Sequence, residues 1–298
     1  IPGAMYLCSV VDAVKGAHHR EVRVDELLYT WYLGQLDTFP DKLGVSRYVS
    51  DTIRQEIDEH GLYPPITCLK TTMEIENTPF SVTWDDARIS FVDDDIIITF
   101  FDKTHGETIS CVLVPQVPFT DLSSLAPKDA VGMQYITCPR LTLQGIVGGE
   151  PVSGEAWCDY QSGGTAWFLD QQDTDCAVQE ECHPYQPLGW DWCGIQLDDG
   201  RNLMLMHRRN LRSKKTVSTF CILFSENGDA AYYPDIRAEP VRTWESPRTH
   251  IHYPVEWEFS IPAIDAALRF TPDIDEQEIE IIGMDGGLWE GSGRVSGR

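Results

Sequence analysis

Short runs of β-branched and aromatic residues recur along the chain with turn residues between them, the pattern of a strand-built sandwich or barrel. Phe80–Trp84, Ala87–Val92, Asp95–Phe101 and Thr108–Val114 are four such runs, and Asp93-Asp94 marks a tight turn between two of them. Gly189–Leu197 and Asn202–Arg208 flank Asp198-Asp199-Gly200. The Asp-Gly step suits residues held at positive φ, so the two arms are predicted to form a hairpin. Helix is scarce: Asp51–His60 carries Ile53 and Ile57 at i, i+4 spacing and ends before Gly61, which predicts one short loop helix. The fold class expected from this pattern is all-β.

Two interruptions suggest organisation. Gly145–Gly154 holds four glycines and one proline, a composition suited to a hinge, which divides the chain into residues 1–147 and 148–298. Asp170–Pro187 is polar, acidic and too long for a hairpin turn, so it reads as a candidate lid or binding loop.

Composition narrows the partners. With 298 residues, 42% of them hydrophobic, the chain can build a substantial core. Its formal net charge of −24 repels nucleic acid and anionic membrane surfaces, and its plainest meaning is solubility. No apolar window approaches the length of a membrane span, so no membrane insertion is expected. The start lacks the basic and long apolar regions of a secretory signal, Met5 reads as the natural start, and a cytoplasmic location is expected. Nine cysteines without a C-x-x-C pair argue against both a disulfide framework and a zinc ribbon. Most read as small buried hydrophobes in strands, with Cys176 and Cys182 in the acidic loop as the exceptions.

Familiar catalytic templates are missing: there is no H-E-x-x-H, G-x-S-x-G, G-x-x-x-x-G-K-[ST] or strand-linked G-x-G-x-x-G. His250 and His252 would share a strand face, but no third ligand accompanies them, so a surface pair is expected rather than a metal site, and no cofactor is expected. What remains is tryptophan alternating with polar residues. In a strand, Glu155, Trp157, Asp159 and Gln161 share one face and Ala156, Cys158 and Tyr160 the other. Trp190 and Trp192 share a face, and His207 shares one with Leu203 and Leu205. Core packing accounts for most tryptophans in β proteins. An acid beside an indole inside a barrel is also desolvated, which raises its pKa and suits it to donate a proton near neutral pH.

The segments Gly154-x-Ala156-Trp157-x-Asp159, Gly189-Trp190-Asp191-Trp192 through Gln196-Leu197-Asp198-Asp199-Gly200-Arg201 to Leu203-Met204-Leu205, Tyr253-Pro254-Val255-x-Trp257 and Leu288-Trp289-Glu290-Gly291 occur in one order. In this they resemble the AttH and carotenoid 1,2-hydratase family, which also takes in kievitone hydratase and lipocalin-like natural-product Diels–Alderases. The similarity covers the C-terminal half well and the N-terminal half loosely, where Thr30-Trp31-Tyr32 stands in place of a longer aromatic cluster. It implies two lipocalin-like β-barrel or β-sandwich domains packed together, a ligand cavity in or between them, and no cofactor. It also implies that Asp159 matches the acid that protonates a C=C bond in the hydratases. Tyr160-Gln161-Ser162-Gly163 departs from the His or Arg and the Trp that follow that acid in relatives. The chain stops at Arg298, where relatives continue into a final strand, so that element is expected to be missing or supplied differently.

Three functions compete. The first is a cofactor-free pericyclase that folds an apolar polyene for an intramolecular [4+2] or hetero-[4+2] cycloaddition, relying on shape and one hydrogen bond to a carbonyl. The second is a hydratase or acid-initiated cyclase of an isoprenoid C=C bond with Asp159 as general acid. The third is a carrier of apolar small molecules. The candidate catalytic residues are Asp159, Trp157 and His207. Tyr160, Trp190, Trp192, Gln196, Trp31, Tyr32 and Trp84 are candidate substrate contacts. Oligomeric state is left open.

Overall fold

The computed structural model describes residues 3–12, 18–27, 30–37, 44–46, 73–84, 87–102, 107–126, 134–163, 188–210, 213–234, 236–280 and 287–298. The expected helix over Asp51–His60, the acidic loop Asp170–Pro187, Cys68, Cys176 and Cys182 lie outside these residues. Within them the protein is all-β, apart from short 3-10 turns at Leu122–Ser124 and Pro262–Ile264. No described helix is long and apolar enough to cross a membrane.

A curled sheet of twelve strands forms the N-terminal half. Its strands are β1 (Gly3–Asp12), β2 (His18–Leu27), β3 (Thr30–Asp37), β4 (Gly44–Ser46), β5 (Met73–Asn77), β6 (Phe80–Trp84), β7 (Ala87–Val92), β8 (Asp95–Asp102), β9 (Glu107–Pro115), β10 (Thr120–Asp121), β11 (Gln134–Val147) and β12 (Glu150–Gly163). They run in the order β4-β3-β2-β1-β12-β11-β9-β8-β7-β6-β5, with β10 beside β11. The four runs of β-branched and aromatic residues became β6 to β9, and Asp93 turns the chain at φ 54 between β7 and β8. Strict alternation explains their packing. Ile109, Cys111 and Leu113 are buried while Val112 and Val114 are exposed, so one face packs with Ile96, Ile98, Leu141, Leu143, Val152 and Ala156 into a first core.

The C-terminal half contributes a second sheet of β13 (Leu188–Gln196), β14 (Asn202–Asn210), β15 (Thr216–Phe224) and β16 (Ala230–Pro234). A third contains β17 (Arg237–Glu245), β18 (His252–Ile261), β19 (Ala266–Pro272) and β22 (Gly293–Gly297), and β20 (Glu278–Glu280) pairs with β21 (Gly287–Trp289) in a small ribbon. The predicted Asp198-Asp199-Gly200 hairpin is present between β13 and β14, with Gly200 at φ 86. After Trp289-Glu290-Gly291 the chain forms one further strand: β22 pairs with β19 from Leu268 opposite Gly297 to Pro272 opposite Gly293.

The second sheet is covered on both sides. Leu203, Leu205 and Cys221 face Trp257, Phe259, Ile261 and Leu268 of the third sheet. Met204, Phe220, Ile222 and Phe224 face Trp157 and Tyr135 of the first sheet and Leu122. Residues 135–140 of β11 and 156–159 of β12 are therefore covered on both faces, because the first core lies on their other side, whereas towards the Gly148-Gly149 turn Thr142, Gln144, Ile146 and Ser153 are exposed. Polar groups fasten this junction. Gln196 Nε2 donates to the carbonyls of Pro139 and Ala156, both at 2.9 Å. Arg140 donates to Asn202 Oδ1 at 3.1 Å and to the Leu197 carbonyl at 3.0 Å, and also pairs with Glu155.

The glycine-rich segment is not the expected hinge between halves. Gly148 and Gly149, at φ 58 and 87, make the tight turn that joins β11 to β12 within one sheet, and Val147 pairs with Glu150 across it. Glycine is needed there for the left-handed backbone. A boundary after residue 147 therefore cuts a hairpin, and the described first sheet continues to Gly163.

Replacing Gln196 by Leu would leave the Pro139 and Ala156 carbonyls without their donor at the junction. The expected loss is about 1–3 kcal/mol, read as a lower midpoint of urea denaturation. An unchanged midpoint would mean that these bonds do not hold the sheets together.

Candidate functional site

A bulge in β11 builds the site. Pro139 has no N–H for the ladder, and the β11–β12 register shifts between Cys138 and Leu141. Beyond the shift, Thr137 stands opposite Asp159, and Tyr135 opposite Gln161. Tyr135, Thr137, Trp157 and Asp159 thus share the β11–β12 face that meets the second sheet. Asp159 is 1% exposed.

Three side chains hold its carboxyl. Tyr135 Oη donates to Oδ2 at 2.6 Å, and Thr137 Oγ1 and Trp157 Nε1 donate to Oδ1 at 2.5 and 2.7 Å. These bonds favour the carboxylate. Burial opposes them and wins, and the Glu290 carboxylate adds a smaller like-charge push, so Asp159 is raised from an ordinary 3.8 to about 6. The result is an acid that changes its charge close to neutral pH while keeping its position.

The aromatic surroundings are equally specific. Trp157 lies edge-on to Trp192, with ring centroids 5.7 Å apart, and edge-on to Phe224 at 6.1 Å. Gly194 lets the two indoles approach its strand, since a Cβ there would lie 2.6 Å from Trp192 and 3.0 Å from Trp157. Met204 and Met206 extend the same apolar patch.

Other predicted residues are placed differently. His207 faces the third sheet: its Nδ1 lies 3.0 Å from Asp191 Oδ2, its Nε2 lies 3.1 Å from Thr216 Oγ1, and its ring meets Trp257 edge-on. The thickness of the second sheet separates it from Asp159, so alternation correctly joined His207 to Leu203 and Leu205 but no catalytic trio forms. Gln196 uses its amide donors on backbone carbonyls rather than aiming them at a ligand. Tyr160 points to the opposite face of β12 from Asp159. Trp190 is half-buried on the Trp192 face, opposite Arg208. Trp31 and Tyr32 lie on β3 and Trp84 on β6, and their side chains fall outside the described ones.

His250 sits in the turn before β18 at φ 58, so it does not share a strand face with His252 as expected. Both rings are exposed beside Glu245, and no described group of His, Cys, Asp and Glu has the arrangement to hold a metal ion. Burial pushes the Cys138 thiol up to about 11 and those of Cys193 and Cys221 to about 12, which suits packing and not nucleophilic attack. Tyr135 and Thr137 were missed in the sequence because their partnership with Asp159 depends on the bulge.

The raised acid carries a stability consequence. Between pH 3.8 and about 6 the folded protein keeps a proton that the unfolded chain has released. This contribution to stability is therefore full at low pH and disappears as pH rises through about 6, a change on the order of 3 kcal/mol. Urea denaturation of the wild type and Asp159→Asn across that range should give a difference that declines by this amount, whereas a constant difference would place the titration elsewhere.

Comparison with known proteins agrees with this architecture. A protein provisionally assigned as AttH, from Nitrosomonas europaea, superposes with a TM-score of 0.69 at 20% identity, covering 99% of this chain and 88% of that one. Kievitone hydratase from Nectria haematococca gives 0.62 at 12% identity, with 99% and 83% covered. CghA gives 0.51 at 10% identity, with 99% and 82% covered. Identities this low establish a shared fold, the two-domain lipocalin-like arrangement. No curated protein matches the chain in sequence. The sequence pattern of the AttH-like family matches residues 119–298, a span holding Asp159 with its three hydrogen-bond donors and the second sheet that covers them, and the chain belongs to that family.

Proposed function

We propose that this protein is an acid catalyst that protonates a C=C bond of an apolar, isoprenoid-type small molecule, acting as a hydratase or an acid-initiated cyclase. The observation that carries the reading is Asp159, buried, raised to about 6 and held by Tyr135, Thr137 and Trp157. Kievitone hydratase shares the fold, and that a relative of this fold is named a hydratase supports the reading.

The step balances without a cofactor. The Asp159 carboxylic acid gives its proton to one alkene carbon, the π electrons form the new C–H bond, and the other carbon becomes a cation. The three hydrogen bonds then stabilise the carboxylate left behind. The indole faces of Trp157 and Trp192 stabilise the cation through their π electrons. Capture by water gives an alcohol and returns a proton to Asp159, while capture by a second double bond and loss of a proton gives a ring.

The competing reading is the pericyclase. It is favoured by the aromatic wall of Trp157 and Trp192, but a cycloaddition transfers no proton and asks of Asp159 no more than a hydrogen bond to a carbonyl, which an asparagine amide can also donate.

Product analysis with kievitone and with a linear polyene separates the two. For a hydratase, Asp159→Asn lowers turnover by about 10²–10⁴-fold with binding retained. Because the donor must be protonated, kcat/KM falls as pH rises through about 6. For a pericyclase, Asp159→Asn remains largely active, kcat/KM is flat across that range, and Trp157→Ala is the damaging change. That second pattern would sink the acid mechanism.

A further inference from the structure

Among the described side chains, two buried polar atoms have no hydrogen-bond partner: Trp192 Nε1 and Ser218 Oγ. They lie on one face. Trp192 pairs with Met206, which pairs with Phe220, and Ser218 pairs with Arg208 one step along the same side of β15. That is the side holding Met204, Phe220 and Trp157, against which Asp159 is buried. Their backbone positions lie two strand spacings across and two residues along, roughly 12 Å apart.

Buried donors are almost always satisfied, and an unpaired one costs about as much as a lost hydrogen bond. Elsewhere at this junction the rule is kept: the neighbouring indole, Trp157, has its N–H on Asp159, and Gln196 and Arg140 have theirs on backbone or side-chain oxygens. The exception therefore stands one aromatic contact from the acid. The walls beside it are adaptable, because Met204 and Met206 are unbranched thioethers that shift rotamers at little cost.

We infer that Trp192 Nε1 is the anchor for an acceptor oxygen on the substrate, with Ser218 as a second polar contact on the same face. This inference rests on the acid reading of Asp159 and narrows its substrate class. The ligand is an oxygenated isoprenoid, carrying a ketone, ether, hydroxyl or phenol oxygen on an otherwise apolar frame, and not a pure hydrocarbon. The anchor fixes which double bond lies beside the Asp159 proton. Trp192 is in this sense a specificity-determining residue.

The test is binding, so it does not depend on turnover. Isothermal titration compares geranylacetone, whose ketone only accepts hydrogen bonds, with β-farnesene, a hydrocarbon of similar build. In Trp192→Phe the ring is largely kept and the N–H is lost. The affinity for geranylacetone should fall about tenfold while that for β-farnesene stays within twofold, the size expected when one buried donor gains or loses its acceptor. Ser218→Ala should give a smaller loss in the same direction. Asp159→Asn should keep the wild-type preference, so a failure of the acid mechanism leaves this result intact. Equal losses for both probes in Trp192→Phe, no loss for either, or no saturable binding of geranylacetone to the wild type would each overturn the inference.

Discussion

Everything at the centre of this molecule depends on placing one carboxyl group where water cannot reach it. Burial alone would make Asp159 a liability, and the three donors around it recover part of the cost. The balance leaves a group that is neither permanently charged nor permanently neutral. A more open site would return it to the usual carboxylate range, and fewer donors would push it further up. The second sheet supplies the exclusion of water and the β11–β12 hairpin supplies the donors.

Much of the fold was readable in the chain. Alternation located β6 to β9, the Asp-Asp-Gly turn located β13 and β14, and alternation again put Trp190 with Trp192 and His207 with Leu203. These are local signals, set by period and turn chemistry. Asp159 beside Trp157 was visible for the same reason. Its other two partners were not. Counting back from the Gly148-Gly149 turn without interruption would put Asp159 opposite Cys138, whose side chain belongs to the first core. The bulge at Pro139 and Arg140 moves Thr137 into that place, and no periodicity announces a one-residue slip.

The readings that changed share a cause. Glycine enrichment marks positive φ, and a tight hairpin turn needs it as much as a linker does, so Gly148 and Gly149 gave the same signal for two different structures. Gln196 and His207 have side chains suited to binding or catalysis, yet their hydrogen-bonding capacity is spent on backbone carbonyls in one case and on Asp191 and Thr216 in the other. Residue type indicates what a group can do. Only its neighbours decide whether it is free to do it.

The hairpin of β11 and β12 also bears on how the two halves are allowed to change. Over residues 135–140 and 156–159 it presents one face to the first core and the other to the second sheet, so a backbone shift there is felt by both layers at once. Drift in one half is therefore constrained by the other. The outer strands carry no such double obligation, so the packing ties the inner hairpin to fewer acceptable residues than the rim of the fold.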